Sequence, residues 1–235
     1  MARLALVTGG AVRVGAAISR ALADAGYTVA VHAWHHAEEA SALALAIKGH
    51  AVIADLLDPQ GVSALIDQLD ALPGRLEVLV NNAAIFEAAA PESVSAEVWQ
   101  RHLTLNLTAP FQLCQAAHPR MSAGGHIVNV LDISAERPYP RHVHYSAAKA
   151  GLLALTHGLA VAWAPTIRVN AVAPGPVLPP AGADESQFAT RTARIPQGML
   201  PGAQAVAEAV RFLVEGPHGI TGAVLPVDGG RRLVW

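Results

Sequence analysis

Seven short apolar runs, separated by stretches of helical periodicity, constrain this chain more than any other feature. The runs fall at residues 4–8, 28–32, 51–55, 76–80, 126–131, 167–173 and 223–227, with helical patterns at 14–25, 36–48, 59–72, 95–120, 143–163 and 203–215. A strand that reads as nearly unbroken Val, Leu, Ile and Ala has two faces to bury. Parallel strands joined by helical crossovers cover both. The pattern predicts an α/β fold, a single-domain Rossmann-type doubly wound sheet of about seven parallel strands with helices on both faces, spanning residues 1–235. No repeat or low-complexity linker divides it. The longest irregular stretch, residues 174–187, is rich in Pro and Gly, and a flexible substrate lid is expected near 176–200.

Composition removes several classes of function. Apolar residues make up 52% of the chain and charged residues 14%, which excludes a disordered or tail-like protein. A net charge of -2 and scattered arginines give no basic stripe, so no nucleic-acid partner is expected. The single cysteine, Cys114, cannot form an intrachain disulfide and reads as a buried, inert thiol. No apolar run reaches membrane-spanning length and no leader precedes the first strand, so the expectation is a cytoplasmic protein without a membrane partner. The eleven histidines match no zinc spacing, and no metal site is expected.

The first strand runs into Thr8-Gly9-Gly10-Ala11-Val12-Arg13-Val14-Gly15 and then into an Ala-rich helix. Glycines in such a turn let the backbone approach a pyrophosphate, whose charge is stabilised by the helix N-terminus. The second strand ends in His32-Ala33-Trp34-His35-His36, with no acidic residue before Glu38. An acidic side chain there would hold the ribose hydroxyls of NAD. Its absence favours NADPH, with His35, His36 and Arg13 near the 2′-phosphate and NADH as the alternative. Asp55-Leu56 and Asn81-Asn82-Ala83-Ala84 close the next two strands, at the edge where ligands bind in such sheets. The competing reading makes Asp55 a helix cap and the asparagines turn formers.

Tyr145 and Lys149 stand four residues apart in YSAAK, hence on one helix face, and Asp132 lies thirteen residues upstream of the tyrosine. A nearby ammonium favours the ionised phenol, so Tyr145 is expected to deliver a proton near neutral pH. An ionised Asp132 accepts hydrogen bonds only and would repel a developing alkoxide. That argues against ordinary carbonyl reduction unless burial protonates it.

Together TGGAVRVG, Asp55-Leu56, NNAA, Asn106 in LTLNLTAPF, YSAAK, APGP and PVDGG resemble the short-chain dehydrogenase/reductase family along essentially the whole chain. Two departures narrow the resemblance. Arg13 replaces the usual middle glycine and Asp132 the usual catalytic serine, as in the pteridine reductase and dihydromonapterin reductase branch. The resemblance implies a catalytic set of Asp132, Tyr145, Lys149 and Asn106, with Asn106 supporting the lysine through a water. It implies cofactor contacts from Gly9, Arg13, Val14, Gly15, Asp55, Leu56, Asn82, Ala83, Ala84, Pro174 and Gly175, as well as Tyr145 and Lys149. It makes Phe86 the aromatic that sandwiches a pterin against the nicotinamide, with Arg13 reaching both. Phe86 as plain core packing is the alternative. A homotetramer is implied too, with Trp235 docking on a neighbouring subunit. His142 and His144 read as solvated or structural groups, and Arg137 with Glu136 as a surface pair.

Three functions follow as expectations: an NADPH-dependent reductase of dihydropterins, a short-chain ketoreductase acting on a substrate such as a β-ketoacyl thioester, or a non-catalytic dinucleotide-binding sensor. The intact tyrosine and lysine place the sensor last.

Overall fold

The computed structural model describes residues 2–121, 124–179 and 192–234. Its seven strands are β1 (Arg3–Val7), β2 (Thr28–Ala33), β3 (His50–Ile53), β4 (Arg75–Asn81), β5 (Gly125–Val130), β6 (Ile167–Pro174) and β7 (Val224–Val227). All pair in parallel, in the order β3-β2-β1-β4-β5-β6-β7. The described helices are α1 (Arg13–Asp24), α2 (Ala37–Ala46), α3 (Gly61–Asp70), α4 (Ala96–Leu103), α5 (Ala109–Ala117), α6 (Val143–Ala162) and α7 (Gly202–Glu215). Residues 180–191 of the expected lid lie outside the described ones, as does Trp235.

The alternation of side chains along each strand builds two cores. On β1, Ala5 and Val7 face a cluster with Ile18 and Leu22 of α1 and Val210 and Leu213 of α7. Leu4 and Leu6 face the opposite cluster, with Leu65 of α3, Leu113 of α5 and Leu159 of α6. Each fully buried leucine contributes about 1.5–3 kcal/mol. Because both faces are covered, the strands need no polar alternation, which is why they read as continuous apolar runs.

One expected element is altered. The helical pattern at 95–120 is a continuous path, but α4 and α5 are joined by a widened π turn at Thr104–Thr108 that carries Asn106, and His118–Arg120 tightens to a 3-10 turn. Pro110 explains the location. It has no N–H to give to the carbonyl of Asn106, four residues back, so the ordinary ladder cannot run through this point. The widened register is visible where the Ala109 N–H reaches back to Thr104 O.

Candidate active site

Chain order reverses between β1 and β4, opening a crevice at the carboxyl ends of the central strands. The Gly-rich turn sits in that crevice and is fixed from three sides. The Asn82 side chain donates to Thr8 O at 2.9 Å and Gly9 O at 3.0 Å. Thr8 Oγ1 accepts from the backbone N–H groups of Asn82 and Ala83. His32 Nδ1 accepts from Gly9 N at 3.1 Å, which places the ring proton on Nε2, 3.1 Å from Ala54 O. Burial pushes the His32 imidazole down to about 4, so it stays neutral and keeps this tautomer.

The turn fits a dinucleotide. Gly9 has φ +58°, a conformation that a side chain would strain. A Cβ on Gly15 would lie 1.9 Å from Gly9 O, so only glycine lets α1 start this close to the turn. Val12 offers no side-chain cap, which leaves the first N–H groups of α1 available for an anion. Arg13 is also left-handed, with φ +52°, and its guanidinium donates to Pro179 O at 2.6 Å. It thereby joins the turn to the beginning of the segment expected to form the lid.

Other expected cofactor positions line the same edge. His35 and His36 are exposed just beyond β2, and His36 Nδ1 lies 3.0 Å from Glu39 Oε1. Asp55 Oδ1 accepts from Leu57 N at 2.9 Å, making a turn and not a helix cap, while Leu56 is buried. Ala84 is exposed on the loop after β4. Pro174 ends β6, and the N–H of Gly175 donates to Val227 O beside Asp228.

The reacting groups gather between β5 and α6. Tyr145, 5% exposed, donates to Asp132 Oδ2 at 3.3 Å, and Asp132 Oδ1 accepts from Ser134 N at 2.7 Å. Burial raises the Asp132 carboxyl, opposed by the Ser134 N–H and the Lys149 charge. Burial and the Asp132 charge hold the Tyr145 phenol well above its ordinary value. This corrects the expectation that Lys149 makes Tyr145 more acidic. The ammonium donates to Val130 O at 2.7 Å and lies 5.7 Å from the phenol ring centre, whereas the carboxylate is in direct contact. Lys149 is itself pushed down to about 8, chiefly by burial. Tyr145 is therefore a donor that stays loaded, not one poised to ionise.

Asn106 is fully buried, and its amide is committed to the backbone of Ile85: Oδ1 accepts from Ile85 N and Nδ2 donates to Ile85 O, both at 3.1 Å. Its side chain shapes the loop that carries Phe86. Phe86 is 53% exposed, which rules out core packing. It meets Tyr145 edge to face with ring centres 4.8 Å apart.

Two contributors escaped the sequence reading. Tyr139 lies edge-on to Phe86 with ring centres 6.3 Å apart, and His142 stacks on Phe86. His144 is fully buried and pairs with Glu87 O, the structural one of the two roles expected for it, and Arg137 donates to Val234 O at 3.1 Å and to Arg232 O. A signal for Tyr139 existed: the chain has three tyrosines, and Tyr139 precedes Tyr145 by six residues. Burial pushes the Cys114 thiol up to about 12, as expected of an inert thiol.

Comparisons with known proteins agree with this geometry. Residues 10–232 match the profile of a family described as Enoyl-(Acyl carrier protein) reductase, of the short-chain type. The chain is 40% identical, over 99% of its length and 97% of the relative's, to cis-4-hydroxycyclohexanecarboxylate dehydrogenase of Sinomonas cyclohexanicum. Among solved structures it resembles FolM alternative dihydrofolate reductase 1 of Brucella suis in complex with NADP, with a TM-score of 0.92 and 33% identity, covering 100% of this chain and 96% of that one. The angucycline C-6 ketoreductase LanV with bound NADP gives a TM-score of 0.91 and 33% identity, covering 98% of this chain and 96% of that one. The chain belongs to the short-chain dehydrogenase/reductase family.

Proposed function

We propose that this member of the short-chain dehydrogenase/reductase family is an NADPH-dependent reductase of dihydropterins. The observation that carries the reading is Asp132, a carboxyl where a carbonyl reductase needs a neutral hydroxyl, in hydrogen-bond contact with Tyr145 beside the half-exposed ring of Phe86. NADP in the related FolM and LanV structures supports the cofactor, and the FolM resemblance supports the substrate class.

The turn from Gly9 to Gly15 and the N-terminus of α1 would hold the pyrophosphate, with His35 and His36 nearest the 2′-phosphate. The bound nicotinamide supplies a hydride. Reducing a C=N bond also requires a proton at nitrogen, and Tyr145 holds one, kept in place by burial and by Asp132. Lys149, fixed by Val130 O, would hold the nicotinamide ribose. Asp132 accepts hydrogen bonds from ring N–H or amino groups of a pterin when ionised and offers its own proton when neutral. The exposed Phe86 supplies a flat apolar surface for a heteroaromatic ring.

Carbonyl reduction is the second reading. Burial raises Asp132, and a protonated carboxyl could donate to a developing alkoxide as a hydroxyl does. NADPH consumption with dihydrobiopterin, dihydromonapterin and a β-ketoacyl thioester, with NADH in parallel, separates the two. Dihydropterin turnover that falls by about a hundredfold or more in Asp132→Ala and Tyr145→Phe is expected. Ketone turnover alone, improved in Asp132→Ser, would replace the pterin reading by the second one.

A further inference from the structure

Phe86 stands between two backbone clamps. On one side the Asn106 amide holds both polar groups of Ile85. On the other, His144 Nε2 lies 3.0 Å from Glu87 O. A carbonyl only accepts, so Nε2 carries the proton and donates it. His144 is fully buried, and so is His102, which meets it edge to face with ring centres 4.2 Å apart. His102 is itself anchored by Nδ1, 2.9 Å from Val98 O, and so keeps the His144 ring from turning away from the loop. Two residues beyond Glu87, the N–H of Ala89 donates to Arg141 O at 2.9 Å, just ahead of α6. The ion pair of Glu87 with Arg101 is exposed at both ends and holds the loop little.

We infer that His144 is a positioning residue for substrate, setting the Phe86 ring against Tyr145 through its hydrogen bond to Glu87 O. His144 and Tyr145 are consecutive on the first turn of α6. The turn that carries the proton donor therefore also holds the loop that carries the aromatic surface. A buried imidazole costs desolvation that an aliphatic side chain filling the same space would not, and the bond to Glu87 O is what it provides in return. His142, next to the same turn, covers one face of Phe86, and the half-exposed ring offers the other to a flat substrate. The inference rests on the reading of Phe86 as the surface on which a heteroaromatic substrate stacks, and His144 reaches the substrate only through that ring.

The test is a double-mutant cycle on KM for the dihydropterin, or for the ketone if only that is turned over. His144→Leu removes the donor and keeps a buried apolar side chain. It should raise KM about three- to tenfold, the range of one lost aromatic pair, with kcat and NADPH affinity within about twofold. In a Phe86→Ala background the same substitution should change KM by less than about twofold, because its effect passes through the ring that is gone. His144→Gln places an amide N–H near the position of Nε2 and should restore the native KM. An equal rise in KM in both backgrounds, or no rescue by glutamine, would overturn the inference. A second readout needs no turnover. With fluorinated phenylalanine at the four Phe positions, the Phe86 resonance, assigned with Phe86→Leu, should move in His144→Leu and return in His144→Gln. An unmoved resonance refutes the positioning role. Should the leucine variant fail to fold, His144→Asn, whose amide stops short of Glu87 O, carries the same expectations. If Phe86→Ala by itself leaves KM unchanged, Phe86 is not the substrate surface and that part of the functional reading falls; the resonance alone then decides whether His144 fixes the ring.

Discussion

The imidazole of His142 lies flat against the ring of Phe86, with centres 4.0 Å apart and planes only 3° from parallel. One face of an otherwise exposed phenylalanine is thus covered by a side chain from the start of α6, while Tyr145 meets the same ring edge-on. Phe86 is oriented without being buried. Phe86→Ala should leave the melting temperature nearly unchanged and raise KM for a heteroaromatic substrate by about three- to tenfold, the worth of one aromatic pair of about 0.5–1.5 kcal/mol. A clear drop in melting temperature with constant KM would return Phe86 to a packing role.

Gly15→Ala tests the cofactor turn. The added methyl group would meet Gly9 O at 1.9 Å and Asn82 Nδ2 at 2.8 Å, and the carbonyl cannot swing aside like a flexible side chain. An overpacking penalty of about 1–3 kcal/mol is expected, together with at least about tenfold weaker NADPH binding measured by fluorescence. Native affinity in the variant would show that the turn does not hold the pyrophosphate.

His32 makes the turn sensitive to acid. Its folded value of about 4 lies below the ordinary 6.5, because burial disfavours the imidazolium. The unfolded chain therefore binds more protons between these values. The stability is fully present above pH 6.5 and lost as pH falls towards 4, by on the order of 3 kcal/mol. His126, pushed down to about 3 chiefly by burial, acts in the same direction. Denaturant midpoints across this window should fall in the native protein and fall less steeply in His32→Gln. Equal slopes would rule out His32 as a source of the acid sensitivity.

Arg168 on β6 is 8% exposed and donates to the carbonyls of Leu213, Val214 and Ile220, the first two in the last turn of α7. It closes a helix end whose carbonyls have no partners within the helix. Arg168→Met should cost about 3 kcal/mol by leaving those acceptors dry, read as a lower urea midpoint. A loss below about 1 kcal/mol would mean that water replaces the guanidinium.

The strands could be located in the chain because buried parallel strands advertise themselves as apolar runs, and each observed strand lies within two residues of its expected bounds. The turn from Gly9 to Gly15 and the Tyr145–Lys149 pair were legible because their spacing is local. Arg168 was hidden inside a run that reads as plain strand, since its partners lie 45 or more residues away. The pairing of Phe86 with His142 was illegible for the same reason: a loop after β4 and the start of α6 meet only in the folded chain. The direction of the Tyr145 shift was misread because the sequence shows which charges are near in number, not which atom touches the phenol.

Asn106 gives both polar ends of its amide to Ile85, 21 residues earlier in the chain. The contour of the loop that bears Phe86 is therefore written in another helix, at the point where Pro110 widens its winding. Transplanting residues 81–87 into a sister scaffold would carry the letters of this site and leave its shape behind. The smallest portable unit includes the π turn as well, and a redesign of substrate preference that alters only the loop would be working on half of the mould.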